Sequence, residues 1–459
     1  MTIKAIILIG GPNKGQRFRP LSFDSPKHMF PVGGQTIIGH LIESCLRLKE
    51  VGEIILLGFH QQDETLSQSY LQNLVERYTG NRQDRGHVPT IKYLQEFTRM
   101  GTAGGLYHFR DQLRHNDPTE LVVINGDVCG DFDFDSMLAQ HRERIEWAKR
   151  TNHPKPYITV MTTEADRQES LNYGCIVENQ ENHVIEHYVE KPSTFVSNVI
   201  NCGAYICSLD LLDLLEDTMR KKRQESTANS NIVLNDRPIY THRPDPDHDY
   251  LTLELDILQQ RFNLPHCFAY RTQGAWWCQV KTAASAIYAN KKYLEHNRES
   301  AGDGNHHSAT ERRSNSGECE IIGHVYIHPT AKVDASSVIG PNVSIMENCI
   351  IGPGVRIKDS IILKNALVHP HSLILCSIVG WDCSIGAWAR VEGTPGEPDP
   401  NQRFAKVQNP PLFNPVGKLN PSISVLGSNV KVSCGTVILN TIALPHKELS
   451  RTYRNEIVL

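Results

Sequence analysis

The sequence predicts two folds in succession: a doubly wound, Rossmann-like α/β sheet over residues 1–296 and a left-handed parallel β-helix over residues 320–459. Three observations carry that prediction. Short apolar runs alternate with amphipathic segments in the first part. A polar stretch, residues 297–319, separates the parts, and beyond it branched aliphatics recur at every sixth residue.

The first part offers four strands: Lys4–Gly10, Glu53–Phe59, Thr90–Glu96 and Leu121–Asp127. Each is short and almost continuously apolar, as strands covered on both faces must be. Helical patterns lie between them, at Ile37–Leu48 and Leu66–Tyr78. Two segments read as mobile connections, Arg220–Asn231 with the histidine- and proline-bearing stretch after it, and Asn297–Glu318, which has almost no apolar content.

In the second part Ile321, Ile327, Val333, Ile339, Ile345, Ile351, Ile357 and Leu363 stand six apart. A four-residue shift follows, and Leu367, Leu373, Val379, Ile385 and Val391 continue the step. This is the hexapeptide pattern of a β-helix, and it predicts about four coils of roughly 18 residues, one aliphatic pointing inward from each side. The proline- and asparagine-rich stretch 393–421 interrupts it, and Leu426, Val432 and Ile438 resume the step. A loop that long is either functional or a solvated excursion.

The formal net charge is −4, which gives no electrostatic case for nucleic acid or for an anionic membrane surface. No segment approaches the roughly 20 apolar residues that span a bilayer. The apolar run Ala5–Ile9 leads straight into glycines and is too short for a secretion signal. The twelve cysteines are scattered with no CxxC pair, as expected of reduced packing cysteines in a cytoplasmic protein.

The opening strand runs into Gly10, Gly11 and Gly15 and then Arg17 and Arg19. Walker A fails, because Gln16 and Arg17 replace its Lys and Ser/Thr, and the dinucleotide fingerprint fails at Pro12. What remains is a flexible backbone cradle followed by guanidinium groups suited to phosphate.

With Lys27 in "DSPKHMFPV", "GTAGGL" (Gly101–Leu106), "NGDV" (Asn125–Val128), "NYG" (Asn172–Gly174), "VEKP" (Val189–Pro192) and "INCGAYI" (Ile200–Ile206), the pattern resembles the sugar-1-phosphate nucleotidyltransferases. Within them, "VEKPSTFVSN", the late loop and "LPHKELSRTYRNEIVL" are similar to the alpha-type branch of the GDP-mannose pyrophosphorylase group. The resemblance implies that Gly10, Gly11, Gly15, Gly101, Thr102, Gly104 and Asn125 lie against the nucleotide, and that Arg17 and Lys27 neutralise phosphates. It implies further that Gly174, Glu190, Lys191 and Asn201 hold the sugar and its phosphate, and that Asp127 ligates Mg²⁺.

Three departures bear on turnover. Pro12, Asn13 and Lys14 stand where the family has one residue between glycines, and Gln16 replaces a threonine. In the family a W-x-D-x-G aspartate is the second metal ligand; in "GAWWCQVKTAAS" Gln279 holds that position. A neutral amide compensates Mg²⁺ far less than a carboxylate, so the metal site is weakened. The resemblance thus implies a regulatory subunit that binds GDP-mannose, self-associates and partners a catalytic, beta-type pyrophosphorylase subunit, inhibiting it by feedback. The late loop, with Phe404 and Phe413 as apolar anchors, is the expected contact. The alternative is an active mannose-1-phosphate guanylyltransferase. A hexapeptide acyltransferase with His369 or His371 as base would leave the N-terminal features without a role.

Overall fold

The computed structural model describes residues 2–10, 16–23, 25–59, 89–151, 155–230, 250–259, 266–272, 274–300, 319–396, 411–415, 417 and 419–459. The chain divides into two compact units: Met1–Lys14 with Leu41–Trp277, and Gly15–His40 with Cys278–Leu459.

The first unit is built on nine strands: β1 (Ile3–Gly10), β2 (Val51–Gly58), β3 (Thr90–Gln95), β4 (Glu120–Asn125), β5 (Ile158–Glu164), β6 (Gly174–Glu178), β7 (Ile185–Glu190), β8 (Val199–Ser208) and β9 (Cys267–Arg271). The four strands expected from apolar runs are the parallel half, in the order β4-β1-β2-β3. Strand β8 pairs antiparallel with β4 and carries β5, β6 and β7 beyond it, which the apolar runs did not announce. Both faces of β1 and β4 are covered, and residues such as Ile6, Ile7, Val122 and Val123 are fully buried.

The expected helix at Ile37–Leu48 is α1 (Ile37–Arg47), while Leu66–Tyr78 lies outside the described residues. The helices α2 (Gly101–His108), α3 (Phe134–Thr151) and α4 (Asp210–Ser230) follow. Helix α4 overturns one expectation, because Arg220–Ser230 continue it instead of forming a mobile connection. Lys, Arg, Gln and Glu are good helix formers, so a polar composition alone does not break a helix. Lys222 anchors that stretch by donating to the Tyr250 carbonyl at 2.6 Å. In the same way α5 (Ala283–Ser300) runs past residue 297.

In the second unit three parallel sheets of seven, seven and six short strands form the left-handed β-helix. Its repeat is not uniform. Glu320 pairs with Val338 and Val338 with Arg356, but Arg356 pairs with Leu373 and Leu373 with Arg390, one residue sooner each time. The shortened coils move the inward positions to Ile362, Val368 and Ile374. Leu363 is buried but outside the β-helix core, and Leu367 and Leu373 are half-exposed on outer faces. A one-residue slip turns a strand residue to the opposite face, which is why a fixed step of six misplaced these three.

One outer face is not solvated. Ser344, Ile361, Ile378 and Val425 are buried although they lie outside the β-helix core. Asn290 on α5, itself fully buried, accepts from the Gly33 amide (2.9 Å) and the Ser344 hydroxyl (2.6 Å) and donates to the Asn342 carbonyl (3.2 Å). Phe30 meets Trp381 edge to face with centroids 6.3 Å apart, and His40 stacks on Tyr293 at 3.6 Å. The segments Gly15–His40 and the start of α5 therefore pack as part of the β-helix unit.

Candidate functional site

The carboxyl edge of the parallel strands gathers the first group of expected residues. Gly10 closes β1 opposite Gly58 at the end of β2, Asn125 closes β4, and Asp127 sits half-buried in the turn beyond it. Crevices at such strand ends are where open α/β sheets take ligands. Gly11 and Gly15 lie outside the described residues.

Helix α2 begins at Gly101 and Thr102, and amides of its first turn have a protein partner. Ala103 and Gly104 both donate to the Leu251 carbonyl at 3.0 Å. Thr102 accepts from the Leu253 amide (2.9 Å) and donates to a Glu254 carboxylate oxygen (2.7 Å). Glu254 belongs to a short π-helical turn, Leu253–Leu258, capped by Thr252.

The residues expected to hold a sugar meet in one hydrogen-bonded fork. Strand β8 is irregular in its pairing with β5 between Asn201 and Tyr205, and Gly203 there has φ +72°. A β-carbon on Gly203 would stand 2.6 Å from Asn125 Nδ2, so this bulge requires glycine. The Gly203 amide donates to Asn201 Oδ1 at 2.8 Å, which turns Asn201 Nδ2 toward two tyrosines. Nδ2 donates to the Tyr205 hydroxyl (2.9 Å) and the Tyr188 hydroxyl (3.3 Å). Tyr188 donates its own hydroxyl hydrogen bond to Glu190 Oε2 (2.8 Å), and Tyr205 donates its own to Glu254 Oε1 (3.3 Å).

Burial pushes both tyrosine hydroxyls well above their ordinary range, and the nearby carboxylates add to the effect. Both therefore remain protonated donors. Gly174 leaves room for the Tyr188–Glu190 bond, since a β-carbon there would lie 2.8 Å from Glu190 Oε2. Lys191, in a left-handed conformation at φ +45°, donates to Glu190 Oε1 at 2.7 Å and extends into solvent. Trp277 closes the group by donating to the Cys202 carbonyl (3.0 Å) and meeting Tyr173 edge-on.

The structure thus brings together Gly174, Glu190, Lys191 and Asn201. The sequence reading missed Tyr188 and Tyr205. Tyr188 carried a readable signal, because it lies two residues before Glu190 and so shares its face of β7. Tyr205, four residues after Asn201, shares its face by the same alternation, but no motif singled it out.

The remaining expected residues belong to the second unit. Arg17 is exposed in the 3₁₀ turn Gln16–Phe18, Arg19 lies over the Phe23 ring at 5.0 Å, and Lys27 is half-buried in the turn Lys27–Met29. Gln279 is half-buried at the end of strand Trp277–Gln279. At the base of the late loop Thr394 donates from both its amide (2.8 Å) and its hydroxyl (3.0 Å) to Asn440 Oδ1. Phe413 is exposed and bridges to Leu419, while Phe404 lies outside the described residues. His371 stacks on the exposed Trp388 at a β-helix corner, at 4.4 Å between centroids.

Residues 4–295 match the family model of the nucleotidyl transferases, and residues 321–458 match a model described as the GMPPB C-terminal domain. Relatives named mannose-1-phosphate guanylyltransferase regulatory subunit alpha are similar over their whole length. Those of Papio anubis and Homo sapiens are 43% identical over 457 residues, and that of Drosophila melanogaster is 44% identical over 463. Each comparison covers 100% of both chains.

Proposed function

The chain belongs to the nucleotidyl transferase family, and from that premise we propose that it is the regulatory subunit of a mannose-1-phosphate guanylyltransferase, holding GDP-mannose and restraining a catalytic subunit. One observation carries the reading: the full-length similarity to chains named as that regulatory subunit. The fork around Asn201 supports it, because an oriented carboxylate, Glu190, suits the hydroxyls of a sugar.

The family generally uses Mg²⁺. Here Asp127 offers one hard donor, and the position matched to the second carboxylate is Gln279. Among the described residues no three His, Cys, Asp or Glu side chains gather to hold an ion. That donor set does not fit a firmly held divalent cation, so we assign ligand capture to hydrogen bonds. Among the described residues no helix is long and apolar enough to cross a membrane.

Calorimetric titration with GDP-mannose, with and without chelator, tests the reading when turnover of GTP and mannose-1-phosphate is followed in parallel. The expected result is chelator-insensitive binding with negligible turnover by the isolated chain. Robust turnover, or binding that chelator abolishes, would refute it.

A further inference from the structure

Glu254 stands at the far end of the fork from Glu190, and no motif pointed to it. Both of its oxygens are engaged inside the protein, one by Tyr205 and one by Thr102. Those two bonds tie it into the fork from inside the protein. Its position governs a group that would touch a ligand.

The direction of every hydrogen bond in the fork is forced. The Gly203 amide can only donate, so it holds the Asn201 carbonyl and leaves Nδ2 facing the two hydroxyls. A hydroxyl that accepts from Nδ2 must send its own proton elsewhere. Tyr188 sends it to Glu190 and Tyr205 sends it to Glu254. Were residue 254 an amide, either Thr102 or Tyr205 would lose its acceptor. With an amide nitrogen facing Tyr205, that hydroxyl would receive two donors, and its proton could turn only toward Asn201 Nδ2, which cannot accept. Asn201 cannot flip to relieve this, because the Gly203 amide holds it.

We propose that Glu254 is a positioning residue for sugar recognition, acting through Tyr205, Asn201 and Tyr188 to fix the orientation of Glu190. The proposal rests on the functional reading above, with a hexose hydroxyl as the group that Glu190 receives. Such a residue affects the sugar-bearing ligand and spares the nucleotide alone, whereas a merely structural residue affects both.

The test titrates the full-length protein and three variants, Glu254→Gln, Tyr205→Phe and the double variant, with GDP-mannose and with GDP. Tyr205→Phe keeps the ring and the Glu254–Thr102 bond, so it breaks only the sugar-side branch. Each single change is expected to weaken GDP-mannose binding about tenfold, and Tyr205→Phe, which leaves the Thr102 bond intact, is expected to keep GDP within about twofold. The double variant is expected to be no weaker than the single ones, because both changes cut one path. Equal losses for GDP and GDP-mannose in Tyr205→Phe, or additive losses in the double variant, would overturn the proposal. If wild type binds GDP-mannose and both single variants bind it as well, Glu254's role alone falls. If wild type takes up no GDP-mannose, the functional reading falls, and this one with it.

Discussion

Replacing Gly174 by alanine introduces a single methyl group into the tightest point of the fork. Its carbon would stand 2.5 Å from Tyr188 Cζ and 2.8 Å from Glu190 Oε2, and nearer still to the tyrosine hydroxyl. Those separations are shorter than real β-carbon contacts, so Tyr188 must move. Its ring is buried, and a buried hydroxyl that loses its acceptor costs about 1–3 kcal/mol. Shifting a packed ring adds a comparable amount, for a total of about 2–6 kcal/mol. Urea unfolding should show that loss as a lower midpoint. Calorimetry should show GDP-mannose binding weakened by about ten- to a hundredfold, as expected when a buried hydrogen-bond network is half broken. Adding Tyr188→Phe to the alanine variant removes the nearest clashing atom, so it should recover part of the stability but not the affinity. Unchanged stability and affinity in Gly174→Ala would refute the claim that glycine is required there by the Tyr188–Glu190 bond.

Four further outcomes are expected. Burial holds His141, between Thr159 and Ser208, down at about 4, so the unfolded chain binds a proton that the folded chain refuses. Its share of stability is full above the ordinary histidine value and drains by about 3 kcal/mol as pH falls from 6.5 to 4, and His141→Gln should flatten that slope in unfolding measured across the same range. Asn290→Ala orphans the Gly33 amide, the Ser344 hydroxyl and the Asn342 carbonyl, and should cost roughly 3 kcal/mol or more in denaturant unfolding. Gln279→Asp alone should leave GTP and mannose-1-phosphate turnover about a hundredfold below that of a catalytic subunit, because the widened Pro12–Lys14 loop still misplaces the triphosphate. Replacing residues 397–410 with a short glycine-serine bridge keeps the Thr394 pin on Asn440 and should preserve ligand binding while relieving inhibition of the partner; equal inhibition at saturating GDP-mannose would mean that the loop only connects.

Periodicity and motif chemistry determined much of this protein by themselves. The four parallel strands were legible because burial on both faces demands continuous apolar runs; β1 ended at Gly10 as expected, while β4 stopped at Asn125, two residues before the expected Asp127. The β-helix was legible because each coil must turn a branched aliphatic inward, and Ile339, Ile345, Ile351 and Ile357 do so. The clustering of Gly174, Glu190, Lys191 and Asn201 followed from motifs and not from spacing, since nothing local brings residues so far apart together. Three things were left to the tertiary structure. Coil length was set at the corners, where one residue fewer sends Leu367 outward and Val368 inward without changing composition. The packing of Gly15–His40 and α5 with the β-helix depends on a buried amide, Asn290, whose partners lie far away in sequence. The fork's polarity was decided last: tyrosines that no motif singled out become directed hydrogen-bond donors once burial and a bulge fix which atom each one faces.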